Sequence, residues 1–218
     1  MTISMYGNEA APNVLIQAVD DHDLAFIENE VKAIRGMTDA DFCLTAVKVA
    51  RWNRDLSPWQ APAVFGSEGF GDGAAETLDE ILKLCTDGRR TYIIGGYSLA
   101  GLFALWASCR TDRFAGTAAA SPSVWFPGFT EYLQANRSRS RAVYLSLGDR
   151  EERTRNPVMA AVGSCIRKTE ECLKEQGIRN ILEWNPGNHF RDADIRTARA
   201  FAWVLNETRA LPGNGGKQ

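Results

Sequence analysis

Short apolar runs alternate along this chain with stretches that repeat an apolar residue every three or four positions, and polar or glycine-rich breaks separate the two. Runs of this length suit buried strands, and the 3.6-residue rhythm suits helices. The first run, Asn13–Val19, stops at Asp20, Asp21, His22 and Asp23, an acidic cluster that offers a helix N-cap. Residues 24–34 then place Phe26, Ile27, Val31 and Ile34 at helical spacing before Gly36. Further strands are predicted over 42–49, 92–94, 116–120, 142–147 and 180–184. Helices are predicted over 76–85, 99–107, 130–135, 158–176 and 193–206. Residues 1–12 read as a lead-in without an element of their own. Six strands alternating with helices predict an α/β domain, a mostly parallel sheet with helices on both faces. The domain is expected to span 1–208, with no insertion large enough for a lid. Residues 209–218, with Pro212 and three glycines, are expected to be a disordered tail.

One stretch departs from plain periodicity in an informative way. In TYIIGGYSLAGLFALWASCR the β-branched pair Ile93 and Ile94 ends on Gly95 and Gly96, Ser98 follows, and a helix rich in Leu and Ala begins at once. Strand, sharp turn and helix with a serine at the apex is the pattern of a nucleophile elbow. Such a turn closes only if the residues two before and two after the serine are small, as Gly96 and Ala100 are. The helix start also places free N–H groups and a positive dipole end beside the serine. The bland alternative is a serine that simply caps a helix.

A serine hydroxyl is a weak nucleophile and needs a base oriented by a carboxylate. The chain has two histidines. His189 stands just after the last predicted strand, and Asp149 and Glu151 stand just after the strand before it, so serine, acid and base fall in the chain order of α/β-hydrolases. Glu151, in a Gly-x-x-Glu turn with the longer side chain, is the expected acid, and Asp149 is the alternative. The expected oxyanion donors are the N–H of Leu99 and an N–H after the first strand, at or near Asp21. His22 is expected in a pocket or capping role. Trp52, Trp59, Tyr97, Trp125, Phe126 and Phe190 are expected to line the substrate site, with core packing as the alternative for each aromatic. Trp52 and Trp59 lie in an aperiodic segment, 51–62, that reads as a long shaped loop.

Composition narrows the partners. Lys and Arg total 25 against 27 Asp and Glu, with no block of like charge, which favours neither nucleic acid nor an anionic membrane. No apolar run approaches the ~20 residues of a spanning helix. The amino-terminal stretch lacks a basic region followed by an apolar one, so a soluble cytoplasmic protein is expected. Five cysteines form no CxxC pair and read as buried reduced thiols.

The run GGYSLAGLFALW, then SPSVWFPGF, the LSLGDRE turn and NPGNHF resemble, in that order, the esterase branch of the α/β-hydrolases that includes esterase D-like, enterochelin esterase-like and feruloyl esterase proteins. The resemblance covers roughly residues 12–206 and is most specific at the serine turn and the histidine loop. It implies a serine carboxylic-ester hydrolase working through an acyl-enzyme on a small-molecule ester, with no metal or organic cofactor. Ser98 matches the nucleophile, Glu151 the acid and His189 the base. An acyltransferase or thioesterase with the same three residues, or a binding module on the same fold, are the alternative readings.

Overall fold

The computed structural model describes residues 1–64 and 66–210. Its elements run β1 (Thr2–Gly7), β2 (Asn13–Val19), α1 (Asp21–Arg35), β3 (Phe42–Lys48), α2 (Trp52–Asp55), α3 (Ala74–Leu82), β4 (Thr91–Tyr97), α4 (Leu99–Arg110), β5 (Phe114–Ala120), α5 (Phe129–Ala135), β6 (Ala142–Gly148), α6 (Pro157–Ala160), α7 (Val162–Glu175), β7 (Arg179–Asn185) and α8 (Ala193–Ala210).

The strands form one sheet in the order β1-β3-β2-β4-β5-β6-β7. Every neighbouring pair is parallel except β1 with β3, which is antiparallel from Thr2 opposite Lys48 to Gly7 opposite Cys43. β2, β3, β5 and β6 are buried almost throughout, as strands covered on both faces must be. One core packs Leu78 and Ile81 of α3, most of α4, and Val162, Ile166 and Leu173 of α7 against one face. A second core packs Ile27, Val31 and Ile34 of α1 with Phe201, Val204 and Leu205 of α8 against the other. The strand order reverses between β2 and β4, and a crevice at the carboxyl ends of such a sheet is where this architecture binds ligands.

Three expectations need correction. The lead-in holds a seventh strand: β1 alternates sides at the sheet edge with Ile3 and Met5 largely exposed, so it lacks the continuous apolar run of the buried strands. The long helix of 158–176 is two: Asn156 caps a first turn, α6, that starts at Pro157, and Ala161 separates it from α7 without a side-chain cap. α8 continues through Ala210, past the expected helix end at 206, while residues 211–218 lie outside the described residues. Segment 51–62 contains the one-turn helix α2.

Candidate active site

β4 delivers Ser98 at φ 57° and ψ −119°, a conformation that costs a non-glycine residue of order 1–3 kcal/mol. The surroundings hold it there. Ser98 N–H donates to the Ala120 carbonyl of the neighbouring strand, and the Ser98 carbonyl accepts from Leu102 N–H at 3.1 Å and Ser123 N–H at 3.0 Å. Gly96 has φ 157°, and a Cβ on it would stand 2.6 Å from that of Ala100. The small-residue spacing around the serine is therefore a steric requirement.

The turns after β6 and β7 are tied together. Asp149 N–H donates to Asn185 O, Arg150 N–H to Gly187 O, and Gly187 N–H to Asp149 Oδ1 at 2.8 Å. This lacing fixes Glu151 relative to His189. A Cβ at Gly148 would come 2.4 Å from Gly187 O and 2.9 Å from Glu151 Oε1, so the turn closes only with glycine there.

His189 Nε2 lies 2.9 Å from Ser98 Oγ, and its Nδ1 lies 2.7 Å from Glu151 Oε2. The other carboxylate oxygen, Oε1, accepts from Gly148 N–H at 2.7 Å, Ser121 Oγ at 2.8 Å and Arg196 Nη1 at 3.0 Å. The Arg196 and Glu151 side chains are 2% and 4% exposed. Tyr97 hydroxyl donates to the His189 carbonyl at 2.7 Å and accepts from Arg196 Nη1 at 3.1 Å. Arg196 Nη2 donates to Pro186 O at 3.1 Å, so one guanidinium spans the carboxylate, the tyrosine and the histidine loop.

Burial alone would push the Glu151 carboxyl up. The hydrogen bond and charge of His189, with the Gly148 N–H and the Ser121 hydroxyl, outweigh it and hold the group below the ordinary 4.5. A carboxyl depressed in the folded state adds stability above its unfolded value and loses it as pH falls through the folded value. Wild type is therefore expected to lose Tm more steeply than Glu151→Gln as pH drops below about 4.5, measured by differential scanning calorimetry. Equal slopes would contradict this account of the carboxylate.

Ser98, His189 and Glu151 line a hollow of about 330 Å³ with Trp52, Phe70, Trp125, Met159, Val162 and Phe190. Its wall is apolar apart from these three, Asn53, Ser121 and Ser123. Leu99 lines it too, at the start of α4, where the first N–H groups have no partner within the helix.

Several expected residues stand elsewhere. Asp149 is exposed and spends its carboxylate on Gly187 N–H, away from the histidine. Asp21 does not line the hollow: Asp20 and Asp23 close a capping box that turns the chain straight into α1, Asp20 N–H is used by Asp23 Oδ2, and the Asp21 carboxylate pairs with Lys48. His22 is exposed, edge-on to Phe26, in a second hollow on the other side of Phe190. Tyr97 also lines that second hollow. Trp59 and Phe126 pack edge-to-face behind the wall, Phe126 fully buried and the Trp59 indole donating to Pro127 O at 2.9 Å. Trp52, Trp125 and Phe190 line the hollow beside Ser98.

Sequence reasoning missed Asn53, Ser121, Ser123 and Arg196. For Arg196 a signal exists: it stands four residues before Ala200 and eight before Val204, on the buried stripe of α8. A charge in such a stripe implies a buried partner.

No protein-family model and no curated protein matches the sequence. Solved structures do match. An IroE-like serine hydrolase from Shewanella oneidensis superposes with a TM-score of 0.74 at 16% identity, over 94% of this chain and 75% of that one. The siderophore hydrolase EstA from Aspergillus nidulans gives 0.64 at 19% identity, over 96% and 90%. The enterobactin esterase FES from Shigella flexneri gives 0.63 at 14% identity, over 94% of this chain but 55% of that one. A seven-stranded, mostly parallel sheet with helices on both faces, superposing on these hydrolases over nearly its whole length, is the α/β-hydrolase fold.

Proposed function

We propose that this chain is a serine carboxylic-ester hydrolase. The observation that carries the reading is the continuous relay from Ser98 Oγ through His189 to Glu151, with links of 2.9 and 2.7 Å, opening on an apolar hollow. The names of similarly folded proteins, serine hydrolase and esterase among them, support the same class.

Ser98 Oγ attacks the ester carbonyl carbon while His189 Nε2 takes the hydroxyl proton. Glu151 holds the Nδ1–H and steadies the imidazolium that results. The tetrahedral oxyanion faces the Leu99 N–H at the positive end of α4. Its collapse breaks the bond to the leaving alcohol, which takes the proton from His189 and leaves an acyl-serine. Water then attacks the acyl carbon while His189 takes its proton, and collapse of the second tetrahedral intermediate breaks the bond to Ser98 Oγ, which takes that proton back from His189 as the acid leaves. The apolar wall of Trp52, Phe70, Trp125 and Val162 receives the hydrocarbon part of the substrate. The five cysteines are all free, which fits a reducing cytoplasm. Among the described residues no helix is long and apolar enough to cross a membrane.

Intact mass after treatment with an alkyl fluorophosphonate tests the chemistry without assuming a substrate. Wild type is expected to gain one adduct, Ser98→Ala none, and His189→Ala to react slower by about 10²-fold or more. An unlabelled wild type, or a Ser98→Ala protein labelled at the wild-type rate, would overturn the assignment.

A further inference from the structure

The second hollow, about 360 Å³, lies between α1 and the start of α8 and shares Phe190 with the catalytic one. Asp23, Glu30, Asp192 and Asp194 line it, and among the described residues no lysine or arginine does. Some of this charge is engaged. Asp23 Oδ2 accepts from Asp20 N–H in the capping box of α1, Asp194 accepts from Asn29, and Asp192 pairs with Arg191. The interior is different. Gln17, from β2, and Glu30, from α1, are 2% and 3% exposed, and their one mutual contact is Gln17 Nε2 donating to Glu30 Oε2 at 3.3 Å. Gln17 Oε1 and Glu30 Oε1 have no hydrogen-bond partner. Two buried acceptors without donors are costly unless something supplies N–H or O–H groups.

The lining says what that something is. Acceptors without donors, in an acidic wall, call for a cation rich in N–H. Phe26 and Phe190 stand exposed at the mouth, where ring faces attract an ammonium group or cover its alkyl stem. No group of three His, Cys, Asp or Glu side chains among the described residues is arranged to hold a metal ion, which favours an organic cation.

We propose that this hollow is a subsite for a primary ammonium group, and that the ester hydrolysed at Ser98 carries one, with Phe190 between the cation and the reacting carbonyl. The second half of this statement rests on the ester-hydrolase reading; the first does not. Burial pushes the Glu30 carboxyl well above 4.5, and an ammonium beside it would restore the ionised form as it binds.

Binding is therefore measured on Ser98→Ala, which cannot turn over an ester, by calorimetric titration with n-hexylammonium, n-hexyltrimethylammonium and 1-hexanol. The primary ammonium is expected to bind at least tenfold more tightly than the alcohol, and more tightly than the trimethylated cation, which has the charge but no N–H. Adding Glu30→Gln is expected to remove most of the advantage over hexanol. Three probes bound alike, with the hollow satisfied by water, would overturn the subsite even if the Glu30 variant fails to fold. An ammonium preference that survives Glu30→Gln would also overturn it. If the subsite binds but the fluorophosphonate does not label Ser98, the hydrolase reading fails and the cation site stands.

Discussion

Ser98→Ala is expected to lower kcat/KM toward a p-nitrophenyl ester by on the order of 10⁴-fold or more, and Ser98→Gly to be equally inactive yet more stable than Ser98→Ala. The loss of rate follows from removing the attacking oxygen from a relay whose members act as a unit. The gain in stability follows from the backbone. At φ 57° and ψ −119° a Cβ costs roughly 1–3 kcal/mol, whereas glycine enters this region freely. Against that stands the extra freedom glycine gives the unfolded chain, about 0.4–1 kcal/mol. The balance favours glycine by roughly 1 kcal/mol, or about 2–4 °C in Tm for a chain of this size. Urea titration of the two variants measures the difference. A Ser98→Gly protein less stable than Ser98→Ala would mean that the elbow is not strained.

Arg196→Leu is expected to be the most destabilising change in the site, by about 3 kcal/mol. Removing one partner of a buried ion pair leaves a charge behind, and such breaks cost roughly 3–5 kcal/mol. Glu151 keeps His189, the Gly148 N–H and Ser121, which places the loss at the low end of that range. The same change frees the Tyr97 hydroxyl and the Pro186 carbonyl from a shared donor, so the histidine loop loses one of its ties and keeps those through Tyr97, Asp149 and Arg150. Activity should fall with stability still sufficient for folding, and the acid limb of the pH–rate profile should move upward, because the Glu151 carboxyl loses a neighbouring cation. Arg196→Lys should recover part of the profile but not the bridging geometry. In a Glu151→Gln background Arg196→Leu should cost less than in wild type. Additive losses would mean that the pair is not coupled.

The parts of the site that the sequence announces are those where local chemistry and long-range role coincide. A serine between Gly96 and Ala100, after an apolar run and before an Ala- and Leu-rich helix, allows few backbone paths. His189 and Glu151 come together because parallel strands put their trailing residues at one edge of the sheet. Asp21 stands away from the hollow because the same acidic residues that end a strand also begin a helix, and the Asp20–Asp23 capping box turns the chain into α1. For Trp59 and Phe126 the core-packing alternative fits their place behind the lining, because aromatic character alone does not tell the face of a wall from the layer behind it. β1 escapes because an edge strand with exposed Ile3 and Met5 has no continuous apolar run.

Arg196 also joins separate stretches of the chain. Its guanidinium, carried on α8, reaches the carboxylate that follows β6 and the carbonyl that follows β7. The helix that covers one face of the sheet through Phe201, Val204 and Leu205 thereby also holds Glu151 and the His189 loop from behind. Whatever loosens the packing of α8 loosens the geometry of the candidate relay as well.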